Sequence, residues 1–314
     1  MDRIGVLLEE ESRNTASNIG ITPADPFTAA LNKANTRAIR GLIDLALYVH
    51  RQDLPDMWTE ILFDVVEDQV SIGEDENSLA VAGLAAVYWP QLMVLDPERA
   101  AGLRDSVFGP PHPEEIRAAV LESAVAYSRP TKSGLSDLKS HLLAYLRNDV
   151  DDAERARGKA VTWLLLGYLW EVEGWHNLDD LIAFFLEVGQ LSEAAADYGR
   201  ILRNTDPLPD AVQNLAIEFW EAALNADADP DQYKGFGRWS ETALPDDLWL
   251  TLIHRTLHLS NGGLDWLDGL IERLSRLVPR PPMFDGFRTA IAAPSCVLLL
   301  DERASAPSSC VLAG

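Results

Sequence analysis

Ala160–Val172 reads AVTWLLLGYLWEV, and how this stretch is read decides the fold. Eight of its first eleven residues are large and apolar, and no charge interrupts it before Glu171. A helix that is apolar all round must be buried all round. The run falls short of the roughly 20 apolar residues that a bilayer span needs, and Arg155, Arg157 and Lys159 crowd its start. The expectation is therefore a central buried helix of an all-α protein, with amphipathic helices on either side.

Outward from this stretch, the same texture repeats. Ile39, Leu42, Ile43, Ala46 and Leu47 follow the spacing of one helical face, as do Trp58, Ile61, Leu62, Val65 and Val66. Leu54-Pro55-Asp56 separates the two, with Asp56 placed as an N-cap, so the pair should fold back as an antiparallel hairpin. Asp96-Pro97 opens another helix, and Gly109-Pro110-Pro111 punctuates before a helix over His112–Tyr127. Beyond the central stretch, Gly189 suits a helix C-terminus, and Pro245-Asp246-Asp247 begins a helix with Trp249, Leu252, Ile253 and Leu257 on its core face. The last clear helix places Leu267, Leu270, Ile271, Leu274 and Leu277 inward. Helix starts recur about every 20 residues, or about every 40 per hairpin, which is the HEAT/armadillo period. Such hairpins bury their stripes only against neighbours. The expected fold is an α-solenoid of stacked HEAT/armadillo-like antiparallel helix pairs over 23–292, with a closed helical bundle as the alternative. Residues 1–22 are expected to be partly disordered. The Ser/Ala/Pro-rich tail, 293–314, is expected to be mostly unstructured.

The formal charge of −23 disfavours binding to nucleic acid or to anionic membranes, both of which recruit Lys and Arg. It serves solubility, or steers a basic protein partner. Cys296 and Cys310, the two cysteines, form no disulfide framework, and Met1–Thr22 lacks the charged-then-apolar pattern of a signal peptide. A cytoplasmic location is expected.

Each catalytic constellation fails on its own residues. Asp227, Asp229 and Asp231 match the start of an EF-hand loop, but Gln232 and Arg238 stand where glycine and glutamate are needed. Asp151-Asp152, Asp179-Asp180 and Asp246-Asp247 lack a third carboxylate one turn on; at helix starts they serve to cap and to complement the dipole. His254 and His258 have a spacing that can hold Zn²⁺, yet Arg255 replaces the glutamate of a zinc-protease motif and both rings point away from the core face. They read as ordinary exposed histidines. No phosphate-binding loop and no serine elbow occurs. The expectation is a chain without catalytic residues, metal ligands or cofactor. The competing class is an all-α enzyme or small-molecule-binding bundle with a site assembled from scattered acidic residues and histidines.

Nine tryptophans remain. Trp163, Trp170 and Trp220 lie in apolar helices and belong to the core. Phe236, Arg238 and Trp239 sit in a glycine-containing connection, and Trp and Arg are common interface anchors. These three are the candidate interaction surface, the other reading being that they cover a seam between helices.

Three segments, TRAIRGLIDLALYV (Thr36–Val49), AVYWPQLMVLDPERA (Ala86–Ala100) and KGFGRWSETALPDDLWLTLIHRTL with GGLDW (Lys234–Leu257, Gly262–Trp266), carry a family likeness. Together they resemble the C-terminal helical-repeat region of large bacterial STAND-type NTPases, some of which act in antiphage defence. The resemblance spans roughly Ala34–Val278. It implies a sensor or scaffold role beside a nucleotide-binding module, and it carries no residue of known chemical role. The sequence has no Walker motif, so ATP hydrolysis is not implied, and the tail after Pro294 does not continue the repeat.

Overall fold

The computed structural model describes residues 2–13, 26–54, 57–71, 76–109, 113–148, 154–175, 177–205 and 207–277. Among them are fifteen α-helices, one 3-10 helix and no strand, so the protein is all-α. The tail 293–314 with Cys296 and Cys310, the caps assigned to Asp56 and to Asp151-Asp152, and His112 lie outside the described residues. The chain divides into two compact units, Met1–His176 and Asn177–Gly314.

The first unit holds α1 (Asp2–Ser12), α2 (Pro26–Asn32), α3 (Ala34–Arg51), α4 (Met57–Ser71), α5 (Glu76–Val87), α6 (Trp89–Leu95), α7 (Pro97–Phe108), α8 (Glu114–Tyr127), α9 (Lys132–Arg147) and α10 (Glu154–Leu169). Six of its packed pairs stand three helices apart, alongside closer pairs such as α1–α3, α3–α4 and α9–α10. α1 packs on α4, α2 on α5, α3 on α6, α4 on α7, α5 on α8 and α6 on α9. The N-terminal segment, expected to be partly disordered, contributes α1 to this order. Gly5 lies against the Trp58 ring and Gly41 against Leu8, so α1 approaches α3 and α4 where side chains are smallest.

The helix enclosed on every side is α5, not the Ala160–Val172 stretch. α5 touches α2, α3, α4, α6, α7 and α8, and Ala80, Val81, Ala82, Leu84, Ala85 and Ala86 are all buried. Its side chains are small, and at Gly83 an added methyl would meet Pro26. Small side chains let several helices close in at once. α10 packs on α8 and α9 through Val161, Leu164, Leu165 and Tyr168, while Leu166, Leu169 and Trp170 stay half-buried. No single described helix is long and apolar enough to cross a membrane. α5 and α6 reach that length together but are bent by 74°.

The cap read at Asp96 is in place; Asp179-Asp180 and Asp246-Asp247 supply none, the helix from Leu178 being capped by Asn177 and the helix from Asp246 having no side-chain cap. Asp96 accepts the Arg99 backbone N–H at 3.0 Å, with Pro97 opening α7. The stripes of α3 and α4 are buried at Ile39, Leu42, Ile43, Ala46, Leu62, Val65 and Val66.

The second unit holds α11 (Leu178–Glu187), α12 (Leu191–Arg203), α13 (Asp210–Asn225), the 3-10 helix (Pro230–Glu241), α14 (Asp246–Leu259) and α15 (Leu267–Leu277). Here a two-helix rule holds: α11 packs on α13, α12 on the 3-10 helix, α13 on α14, and the 3-10 helix on α15. Gly189, at φ +66°, closes α11 as expected, and the following Gln190 N–H returns to the Phe185 carbonyl at 2.7 Å.

Candidate functional site

Pro230–Glu241 is the centre of the second unit. A 3-10 helix has about three residues per turn, so Tyr233, Phe236 and Trp239 fall on one face, and all three are buried. Gly235 and Gly237 allow that face to seat. An added methyl at Gly235 would strike the Ser192 carbonyl, and one at Gly237 the Asp265 carbonyl. Polar ties fix the register: Gly235 N–H donates to Ser192 Oγ at 2.9 Å, Leu191 N–H to Gln232 Oε1 at 3.1 Å, and Tyr233 O–H to the Ala226 carbonyl at 2.7 Å.

The expected contact surface is therefore mostly interior. Phe236 and Trp239 have no exposed area. Phe236 stacks on Trp220 at 5.2 Å and 11°. Trp239 meets Trp220 at 4.7 Å and Tyr198 edge-on at 5.1 Å, and its indole N–H donates to the Ala195 carbonyl at 2.7 Å. These two rings pack between Tyr198 of α12 and Trp220 of α13, away from water. Of the three candidates, only Arg238 is turned the other way. It is half-buried, and its guanidinium lies over the Trp266 ring at 4.1 Å.

Trp266 is a residue of this site that the sequence pattern does not mark. It has φ +55°, a left-handed conformation uncommon for a bulky residue, and it remains 37% exposed beside Leu267 at 43%. Asp265 N–H donates to the Lys234 carbonyl at 3.0 Å, which pins Gly262–Trp266 onto the 3-10 helix. Arg238, Trp266 and Leu267 together form the outward remnant of the cluster. The usable signal was the period of three in Tyr233, Phe236 and Trp239, which separates those rings from Arg238.

Arg273 holds the far end of the same helix. It is 5% exposed; of the stripe expected on α15, Leu270 is buried, Ile271, Leu274 and Leu277 are half-buried, and Leu267 is exposed. Its guanidinium donates to the Thr242 carbonyl at 2.9 Å, to the Leu244 carbonyl, and to Asp246 Oδ1 at 2.9 Å, and sits over Trp249 at 4.5 Å. Burial pushes its pKa down, with Asp246 acting the other way. A cleft of about 270 Å³ adjoins it, lined by Thr242, Ala243, Leu244, Asp246, Arg276 and Leu277 as well. Arg273 spends its N–H groups on carbonyls that the helix end leaves free, so its role is structural.

The carboxylates stay dispersed. Asp179 and Asp180 lie in the first turn of α11, whose cap is Asn177. Asp246 and Asp247 open α14, and Asp231 pairs with Lys234 at 2.7 Å. In the first unit, Asp137 accepts from Trp89 Nε1 at 3.0 Å and from Arg104 at 2.8 Å, so both its oxygens are engaged. Nearby His141 has its pKa lowered by burial and then by Arg104. No three His, Cys, Asp or Glu side chains gather around a metal-sized point among the described residues. His254 and His258 do meet, with their Nε2 atoms 3.2 Å apart. No protein-family model, curated protein or solved structure matches this chain.

Proposed function

We propose that this chain is a non-catalytic, protein-binding scaffold or sensor whose two units are short solenoid-type stacks. The first is armadillo-like in its three-helix succession and the second HEAT-like in its helix pairs. The observation that supports this reading best is the contact order itself. Every helix from α1 to α6 covers the helix three places on, and α11, α12, α13 and the 3-10 helix each cover the element two places on. Units stacked by such a rule present rows of outward helix faces, which suits recognition of another macromolecule.

Arg238, Trp266 and Leu267 are the contact patch in this reading. The rings behind them keep the patch rigid, and a cation stacked on an exposed indole loses little conformational entropy on binding. The −23 charge favours a basic protein over nucleic acid or an anionic membrane, in a cytoplasmic setting. The likeness of Thr36–Val49, Ala86–Ala100 and Lys234–Leu257 to STAND-type repeats supports a nucleotide-binding module as that partner. The test is co-purification of the full chain with a nucleotide-binding module encoded beside it. Arg238→Ala combined with Trp266→Ala should sharply reduce recovery while leaving the far-UV circular dichroism spectrum unchanged. Undiminished recovery would place the contact elsewhere.

A further inference from the structure

The side chains of His254 and His258 project from α14 one turn apart, and their rings meet edge to face at 4.6 Å and 88°. Their Nε2 atoms stand 3.2 Å apart. Zinc binds imidazole nitrogen at about 2.0–2.1 Å, so two nitrogens on a tetrahedral ion lie about 3.3 Å apart. We infer that His254 and His258 form a two-imidazole chelate for a borderline divalent transition-metal cation, Zn²⁺ being the reference ion. The inference is independent of the proposed contact function.

Four features support it. First, α14 is held rigidly beneath the pair. Trp249, Leu252, Ile253 and Thr256 are buried, and Thr256 Oγ1 accepts the Trp220 indole N–H at 2.9 Å. Second, Arg255, the cation next in sequence, is turned aside to Asn225 Oδ1 at 3.0 Å. Third, the pair lies toward the C-terminal end of α14, where the free carbonyls favour positive charge. Fourth, the chain is strongly anionic. In the metal-free pair, one Nε2–H donates to the other ring's lone pair. On chelation the donating ring moves its proton from Nε2 to Nδ1, the tautomer the accepting ring already has, so both Nε2 lone pairs go to the ion and no net proton leaves. Two imidazoles fill two coordination positions, and water completes the set. His254 is half-buried and His258 exposed, so the open side faces solvent.

The experiment is calorimetric titration of the full chain with ZnCl₂, and in parallel with NiCl₂ and CuCl₂, in a non-coordinating buffer near neutral pH. A saturable site is expected, with Cu²⁺ tighter than Ni²⁺ or Zn²⁺. His258→Ala changes an exposed residue and should leave the metal-free melting temperature unchanged. Losing the second ligand should weaken Zn²⁺ binding by about tenfold or more. His254→Gln should do the same, and His50→Ala, an exposed histidine on α3, should not. Zinc should raise the melting temperature of the unaltered chain and not that of His258→Ala. Equal zinc affinity in the unaltered chain and His258→Ala, or no uptake up to millimolar zinc, would overturn the inference.

Discussion

Trp239 donates its indole N–H to the backbone carbonyl of Ala195 at 2.7 Å, so a ring from the 3-10 helix is bonded to the middle of α12. Trp239 is wholly buried among Tyr198, Phe219, Trp220 and Phe236. Trp239→Ala should destabilise the protein by about 3–5 kcal/mol through the lost burial and the cavity left behind. Trp239→Phe should cost less. Urea unfolding followed by tryptophan fluorescence would measure both.

Two glycines should respond in opposite directions. Gly235→Ala drives a methyl into the Ser192 carbonyl, and should destabilise by about 1–3 kcal/mol or more. Gly102 lies inside α7 with open space around it. Gly102→Ala should stabilise by up to about 1 kcal/mol through helix propensity. Thermal melts of the two variants against the parent would show the sign in each case.

Arg273→Met should strand the Thr242 and Leu244 carbonyls, each at a cost of about 1–3 kcal/mol. Arg273→Lys should not restore them, because an ammonium lacks the planar fork that reaches several acceptors at once. Asp246→Asn should cost under about 1 kcal/mol, since that carboxylate is 56% exposed. Equilibrium denaturation of the three variants would rank them.

The half-buried imidazole of His141 gives stability a pH dependence. Burial and the Arg104 guanidinium lower its pKa from the ordinary 6.5. In the unfolded chain the ring takes up a proton near 6.5, whereas in the folded chain it does so only at lower pH. Its contribution is therefore complete above the unfolded value and is lost as pH falls toward the folded one. His141→Gln should flatten that part of the stability profile below pH 6.5, measured as the difference in urea midpoint between the two proteins.

Much of the fold was legible because amphipathic stripes report burial directly. Trp249, Leu252 and Ile253 on α14, and Ile39, Leu42 and Ile43 on α3, face inward as their spacing requires. Ala160–Val172 is apolar all round without being enclosed all round, so apolarity alone does not mark the central helix. Trp163 and Leu164 reach far enough to be buried on one side of α10 while Leu166 and Leu169 keep partial exposure. The small residues of α5, weak in any hydrophobicity ranking, allow six helices to crowd in. The site was less legible, because the glycine-containing connection is a buried 3-10 helix, in which Gly235 and Gly237 let the backbone press against Ser192 and Asp265. On α15 the expected stripe is fully buried only at Leu270, and the other buried place belongs to Arg273, because the carbonyls ahead of α14 demand a donor that no leucine supplies.

A 3-10 helix of this length has poor internal hydrogen-bond geometry and little reason to persist by itself. Pro230–Glu241 takes its form from α12, α14 and α15, which come from sequence both before and after it. The second unit consequently has a keystone made of its least self-sufficient part. Trimming α15 away, or severing the chain between α12 and α13, should dissolve the whole arrangement rather than yield a smaller working piece.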